Sequence, residues 1–353
     1  MKRLKFSILI LFISAILIIL IFCSCDNEYD GYNEEHEIRG TSIDSINTEE
    51  TIFFDFTEES ITEQTFETLN IPEKDETETT AKNIENIQSI YNIEEEFNNM
   101  KKILESYGDN ITVFYKDCIS GEEYYYNKEK TYILASVIKA PYAVYLYRSA
   151  LESKCDLDEQ IEYKRGDTRY PDGMVNETKF GTLFTVEELI GYSLNYSDNT
   201  AFHMLENRFG YEGFKNYLKN EGLILKKGMT VDVNSLTDIE CMVFYLEKVY
   251  EFIEEKNIYS ERLKEHMLDT EMQVIKADYP VVRKYGFIDN DMSEIGIIYN
   301  EQRPYLLIIM TTGYYNAQTN TYWITMEGQP EDYAVTFEKI SRAVEKYNNS
   351  KID

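Results

Sequence analysis

The stretch Ile133–Arg148, ILASVIKAPYAVYLYR, is apolar almost throughout, yet it carries Ser136 and Lys139 three residues apart. On a helix, positions i and i+3 are neighbours on one face. Two readings compete here. A core helix could use Ser136 as its cap while Lys139 snorkels to solvent. Alternatively, a lysine in apolar surroundings loses its charge more readily and can take the proton of a neighbouring serine hydroxyl. A helix N-terminus would add positive potential where an oxyanion develops. By itself S-x-x-K does not decide between them.

The rest of the chain narrows the choice. Its 353 residues, 43% hydrophobic and 14% aromatic, suffice for one large domain or two ordinary ones with a sizeable core. A net charge of −29 excludes a nucleic-acid partner, because phosphate binding needs a Lys/Arg surface. Lys2, Arg3 and Lys5 precede an apolar run from Phe6 to Cys23, so residues 1–24 read as an export signal. IFCSCDN resembles a bacterial lipobox with Cys25 as the lipidated residue, and an uncleaved membrane anchor is the alternative. Either way the body is expected outside the cytoplasmic membrane.

Residues 25–92 are expected to form an acidic, disordered tether. Between 26 and 100 there are 22 acidic residues against three basic ones, too polar a mixture to bury the surface that ordering requires. TIFFDFTEESI within it is the one candidate for a short docking element.

The pattern changes at residue 93, where a domain 93–353 is expected to begin. Ile93, Phe97, Met100, Ile103 and Leu104 mark an amphipathic helix stopped at Gly108. ITVFYKD and EYYYN around ISGEE read as a hairpin, and the middle of the chain is largely helical. SEIGIIYN and PYLLIIMTTG, joined at EQRP, form two late strands before the closing helix AVTFEKISRAVEKY. Strands at both ends with helices between predict an α+β domain with an antiparallel sheet. Cys118, Cys155 and Cys241 are an odd set without metal-like spacing, so buried thiols are expected, with a Cys118–Cys155 bridge as the alternative. His36, His203 and His266 are scattered, and neither metal nor cofactor is expected.

Two further motifs follow in order. Ser197-Asp198-Asn199 opens a helix, where all three types are also ordinary caps, and Lys284-Tyr285-Gly286 lies at the edge of a late strand. K-x-G is uninformative alone, since YKRG, TKFG and LKKG also occur. Together the three resemble the S-x-x-K, S-D-N and K-T-G set of class A β-lactamases and penicillin-binding proteins. The resemblance spans roughly residues 95–350, including GTLFTVEELIGYSLNYSDNTAFHML and the KYG…IGIIYN…PYLLIIMTTG ending.

The resemblance implies a β-lactamase/transpeptidase-like fold and a serine acyl-enzyme mechanism. Ser136 would be the nucleophile, Lys139 its base, Ser197 a proton relay to the leaving nitrogen, and Asn199 a binder of the acyl amide. Lys284 would attract the substrate carboxylate, with Tyr285 and Gly286 beside it. The N–H groups of Ser136 and Phe287 would form the oxyanion hole, and Asp198 would be structural. The chain departs from the pattern twice. Tyr285 replaces the Thr or Ser that helps hold the carboxylate, and the E-x-x-L-N loop carrying the deacylating base is absent. Glu221, Asp232 and Asn234 lie where it would be, without its context. The expected function is a monomeric, membrane-tethered serine hydrolase acting slowly on β-lactams or acyl peptides. Its alternatives are a D-alanyl-D-alanine carboxypeptidase and a wall- or β-lactam-binding module without turnover. A Ser-His-Asp hydrolase ranks last, because no histidine has the context of a catalytic base.

Overall fold

The computed structural model describes residues 76–352 apart from 171, 172 and 320, with side chains from residue 88 onward. The signal 1–24, Cys25 and the tether up to residue 75 lie outside the described residues. Helix α1 runs from Glu76 to Ser106, so residues 76–92, expected as tether, are helical. The reason is in the sequence: Ile84, Ile87 and Tyr91 continue the helical spacing, and no Gly or Pro interrupts between Pro72 and Gly108.

The central sheet is five-stranded and antiparallel, in the order β2-β1-β9-β8-β7. It comprises β1 (Ile111–Asp117), β2 (Glu123–Tyr126), β7 (Val281–Ile288), β8 (Asp291–Ile298) and β9 (Tyr305–Thr312). The early hairpin pairs with the last central strand, Val113 opposite Ile309, so the two chain ends close one sheet. Alternation decides which side chain enters which layer. Leu306, Ile308 and Met310 face the helical half, whereas Tyr305, Leu307 and Ile309 pack against the layer of α1 and the final helix α8 (Tyr333–Asn349). Burial on both faces is why β9 reads as a continuous apolar run.

The helical half holds α2 (Lys139–Leu151), α3 (Val186–Asn195), α4 (Asn199–Phe209), α5 (Glu212–Asn220), α6 (Ile239–Glu254) and α7 (Ile258–Leu268). Two short pairs tie it together: β3 (Thr131–Ile133) with β6 (Leu236–Asp238), and β4 (Gln160–Glu162) with β5 (Leu183–Thr185). The architecture is the expected α+β one. Of the late strands, β7 was not foreseen as part of the sheet. A separate three-stranded sheet, β10 (Tyr314–Asn316), β11 (Thr321–Met326) and β12 (Gln329–Asp332), was not foreseen at all. Its tight turn is made by Glu327 and Gly328, both at positive φ, the geometry that matches strand twist in two-residue hairpins.

Cys118, Cys155 and Cys241 are free thiols, so the alternative Cys118–Cys155 bridge is not present. Burial raises all three thiol pKa values, to about 11 for Cys118 and Cys155 and about 12 for Cys241. Among the described residues no helix is long and apolar enough to cross a membrane, and no His/Cys/Asp/Glu group is arranged to hold a metal ion.

Candidate active site

Ser136 lies in a 3-10 turn, Ala135–Ile138, that runs directly into α2. The cap positions of the turn and of α2 are Leu134 and Ile138, so Ser136 caps neither. Lys139 does not snorkel; it is 1% exposed. Both parts of the core-helix reading therefore fail. Ala135, immediately before Ser136, sits at φ +51, a strained conformation for a residue with a Cβ. The strain is held by two backbone bonds to the segment before β6: Leu134 N–H donates to Ser235 O and Ala135 N–H to Val233 O, each at 2.9 Å.

The three motifs, which begin at Ser136, Ser197 and Lys284, converge on Ser197. Lys139 Nζ donates to Ser197 O at 2.6 Å and Asn199 Oδ1 at 2.8 Å, and lies 3.3 Å from Ser197 Oγ. Lys284 Nζ reaches the same hydroxyl at 3.0 Å from β7. Ser197 is held at φ +54 between α3 and α4. Asp198 anchors it: one carboxylate oxygen accepts from Thr200 and Ala201 N–H, the other from Val175 N–H. Asp198 is thus the cap of α4, the structural role expected of it.

Burial lowers the Lys284 pKa well below its usual value, and the neighbouring Lys139 pushes it the same way, against an opposing pull from Glu294. Two ammonium groups sharing one buried hydroxyl cannot both keep their protons cheaply. The proton of Lys284 is thus easier to lose, and the Ser197 hydroxyl links the two amines, which is a proton path.

Gly286 explains why the third motif needs glycine. A Cβ there would stand 3.0 Å from Val137 N and 3.1 Å from Leu134 O, a tight fit against backbone, so the bare glycine lets β7 lie close to the turn that carries Ser136. Tyr285, half-buried, has its ring centroid 4.1 Å from Lys284 Nζ. Phe287 packs its ring edge-on against Tyr322 at 4.2 Å.

Residues 221–235 lie in the sequence interval where the E-x-x-L-N motif is absent. Of the three candidates for a deacylating base, Glu221 pairs with Lys248 of α6, at 3.3 Å. Asp232 is consumed locally: it accepts from Thr230 Oγ1 at 2.6 Å and Asn234 N–H at 3.0 Å. Burial acts to raise its pKa, but the bonds from Thr230, Ser235 and the Asn234 amide outweigh it and hold the carboxyl below its usual value. Asn234 is exposed.

A family model described as the beta-lactamase enzyme family matches residues 93–347. The chain belongs to this family. Among curated proteins no match is found. Its fold is similar to solved structures across the family. PBP-A aligns at a TM-score of 0.59 and 17% identity, covering 70% of this chain and 95% of that one. A mutant of PBP-A solved as an acyl-enzyme complex with penicillin G aligns at 0.57 and 17%, covering 71% and 96%. A β-lactamase from Chitinophaga pinensis aligns at 0.59 and 15%, covering 71% and 98%.

Two features of this beta-lactamase-family site have no counterpart in the motifs. Phe202 of α4 lies 5.6 Å below Lys139 Nζ and contributes to its apolar setting. Glu294, opposite Tyr285 on β8, is fully buried, and burial raises its pKa to about 7. A lone carboxylate inside the apolar run of β8 was the available signal for the latter. The stretch 233–235 that holds Leu134 and Ala135 gave none, because it acts through backbone atoms.

Proposed function

We propose that this protein is a serine hydrolase that works outside the cytoplasmic membrane, tethered through its N-terminus and lipidated at Cys25, and that it forms a slowly released Ser136 acyl-enzyme with β-lactam or acyl-peptide substrates. The observation that carries the reading is the meeting of Lys139 and Lys284 on Ser197 Oγ, with Lys139 one helical step from Ser136. Lys139 takes the Ser136 proton as Oγ bonds to the substrate carbonyl carbon. The C–N bond then breaks, and the proton passes through Ser197 to the leaving nitrogen. The N–H groups of Ser136 and Phe287 stabilise the oxyanion, and Asn199 binds the acyl amide.

Release needs a positioned water and a base. Asp232 and Glu221 are committed to other partners, which favours a persistent adduct, the behaviour of a penicillin-binding protein, over rapid β-lactam hydrolysis. The test is intact-mass analysis of the protein incubated with a fluorescent penicillin, alongside nitrocefin turnover. A stable adduct lost in Ser136→Ala supports the reading. Rapid nitrocefin turnover removes the slow-release part, and no adduct at all leaves the binding-module alternative.

A further inference from the structure

The Lys284 amine is enclosed. The lysine is 0% exposed, and its Nζ is already bound to Ser197 Oγ and to Tyr285 O, each at 3.0 Å. The Tyr285 ring lies over this Nζ, its centroid 4.1 Å away, and so takes up one side of the amine. A small hydroxyl side chain at this position would leave that side open.

Beyond the ring, the surface stays aromatic. Tyr285 and Phe287 are two residues apart on the edge strand β7 and so leave it on one face, the one that alternates with Lys284 and Gly286. Phe287 meets Tyr322 at 4.2 Å and Tyr322 meets Tyr315 at 5.3 Å, and Tyr315 is 48% exposed. This row is supplied by the additional sheet. Residues 314–332 contain three acidic residues and no lysine or arginine, so nothing in them attracts a carboxylate.

We infer that the leaving-group side of this site favours an uncharged group resting against the Tyr285 ring, so that neutral esters or amides acylate Ser136 faster than acyl donors bearing a carboxylate there. The inference rests on Ser136 as the acylated nucleophile. The covalent step is unchanged: Oγ bonds to the carbonyl carbon, the ester or amide bond breaks, and the serine proton ends on the departing oxygen or nitrogen. Tyr285 is then the residue that sets specificity, through exclusion as much as attraction.

The test compares acylation of Ser136 by benzylpenicillin and by its uncharged methyl ester, followed by intact mass, with Ser136→Ala as the control. The methyl ester is expected to react faster by at least about tenfold. Tyr285→Thr is expected to shift that ratio toward the free acid by a similar factor, while Tyr285→Phe, which keeps the ring, retains the wild-type ratio. A free acid that reacts as fast as the ester or faster overturns the inference, as does a ratio that Tyr285→Thr leaves unmoved. In either case labelled Ser136 leaves the acyl-enzyme reading standing. Labelling by neither form overturns both.

Discussion

Lys139 and Lys284 both approach one hydroxyl, Ser197 Oγ, at 3.3 and 3.0 Å. Each lysine is removed from water, and each comes from a different part of the chain: one from the helix behind the nucleophile, the other from the edge strand of the sheet. The shared contact makes charge on either lysine unfavourable for the other, which is what proton transfer through Ser197 requires.

Replacing Lys139 by methionine tests the base. The change keeps an unbranched apolar side chain but removes the acceptor for the Ser136 proton. Acylation of Ser136, read by intact mass, is expected to fall by about 10²–10⁴-fold. Ser197 O and Asn199 Oδ1 also lose their donor, so the denaturation midpoint is expected to drop, at a cost of about 1–3 kcal/mol. Unchanged acylation would remove Lys139 from the mechanism.

Lys284 has a signature in the pH dependence of stability. Its folded pKa is depressed, first by burial and then by Lys139, so between that value and the unfolded one near 10.5 the unfolded chain binds more protons. Its contribution therefore improves as pH rises through this window. The stability difference between Lys284→Met and the wild type is expected to favour the variant most at low pH and to shift toward the wild type as pH climbs to about 10. Urea unfolding at several pH values measures it, and a pH-independent difference would contradict a depressed pKa.

Gly286 offers a purely steric test. Alanine at this position puts a methyl group 3.0 Å from Val137 N and Val137 Cγ2, and the backbone on one side cannot yield. Gly286→Ala is expected to cost about 1–3 kcal/mol in stability. Acylation is expected to fall further than stability does, by about a hundredfold, because β7 is displaced from the nucleophile's turn. Equal effects on both would mean that the glycine serves packing alone.

The contrast between what the sequence carries and what it hides follows from which atoms act. Ser136 and Lys139 stood out as polar groups in an apolar stretch, Ser197 and Lys284 through the motif set of the family the chain resembles, and the structure brings the last three within hydrogen-bonding distance. The α+β layout was readable from β9 and β8, whose apolar runs reflect burial on both faces. The 76–92 extension of α1 was hidden by its acidic composition, although its apolar spacing and lack of breakers were present. The strain at Ala135, and the bonds from Leu134 and Ala135 to Ser235 and Val233 that hold it, are backbone features that no side chain announces. The role of Tyr285 was visible as a departure, but the covering of Lys284 by its ring depends on geometry.

Glu294 provides an independent probe of the sheet beneath the site. Its carboxyl is fully buried and raised to about 7, with Oε2 accepting from Ile275 N–H and Arg283 at 3.8 Å from Oε1. A raised folded pKa means that the folded state holds the proton more tightly than the unfolded chain. The stabilising contribution is thus full below about 4.5 and lost as pH rises through 7. Relative to wild type, Glu294→Gln is expected to gain up to about 3 kcal/mol between pH 4 and pH 8. Urea unfolding at the two pH values reads this directly, and a gain in the opposite direction would mean that Arg283 dominates burial.

Asp232 decides whether the segment 221–235 contributes chemistry or only support. Its carboxylate is engaged by Thr230 Oγ1 and by the Asn234 amide, and those bonds hold its pKa down, which makes it a weak base. Asp232→Asn preserves the shape of the turn and removes the basicity. The lifetime of the Ser136 adduct is therefore expected to stay within about twofold of wild type, since no proton transfer is lost. Some stability should go with the weakened turn, at about 1 kcal/mol. An adduct that lasts tenfold longer in Asp232→Asn would instead make Asp232 the base that activates the releasing water, and would turn the short segment before β6 into a functional replacement for the missing loop.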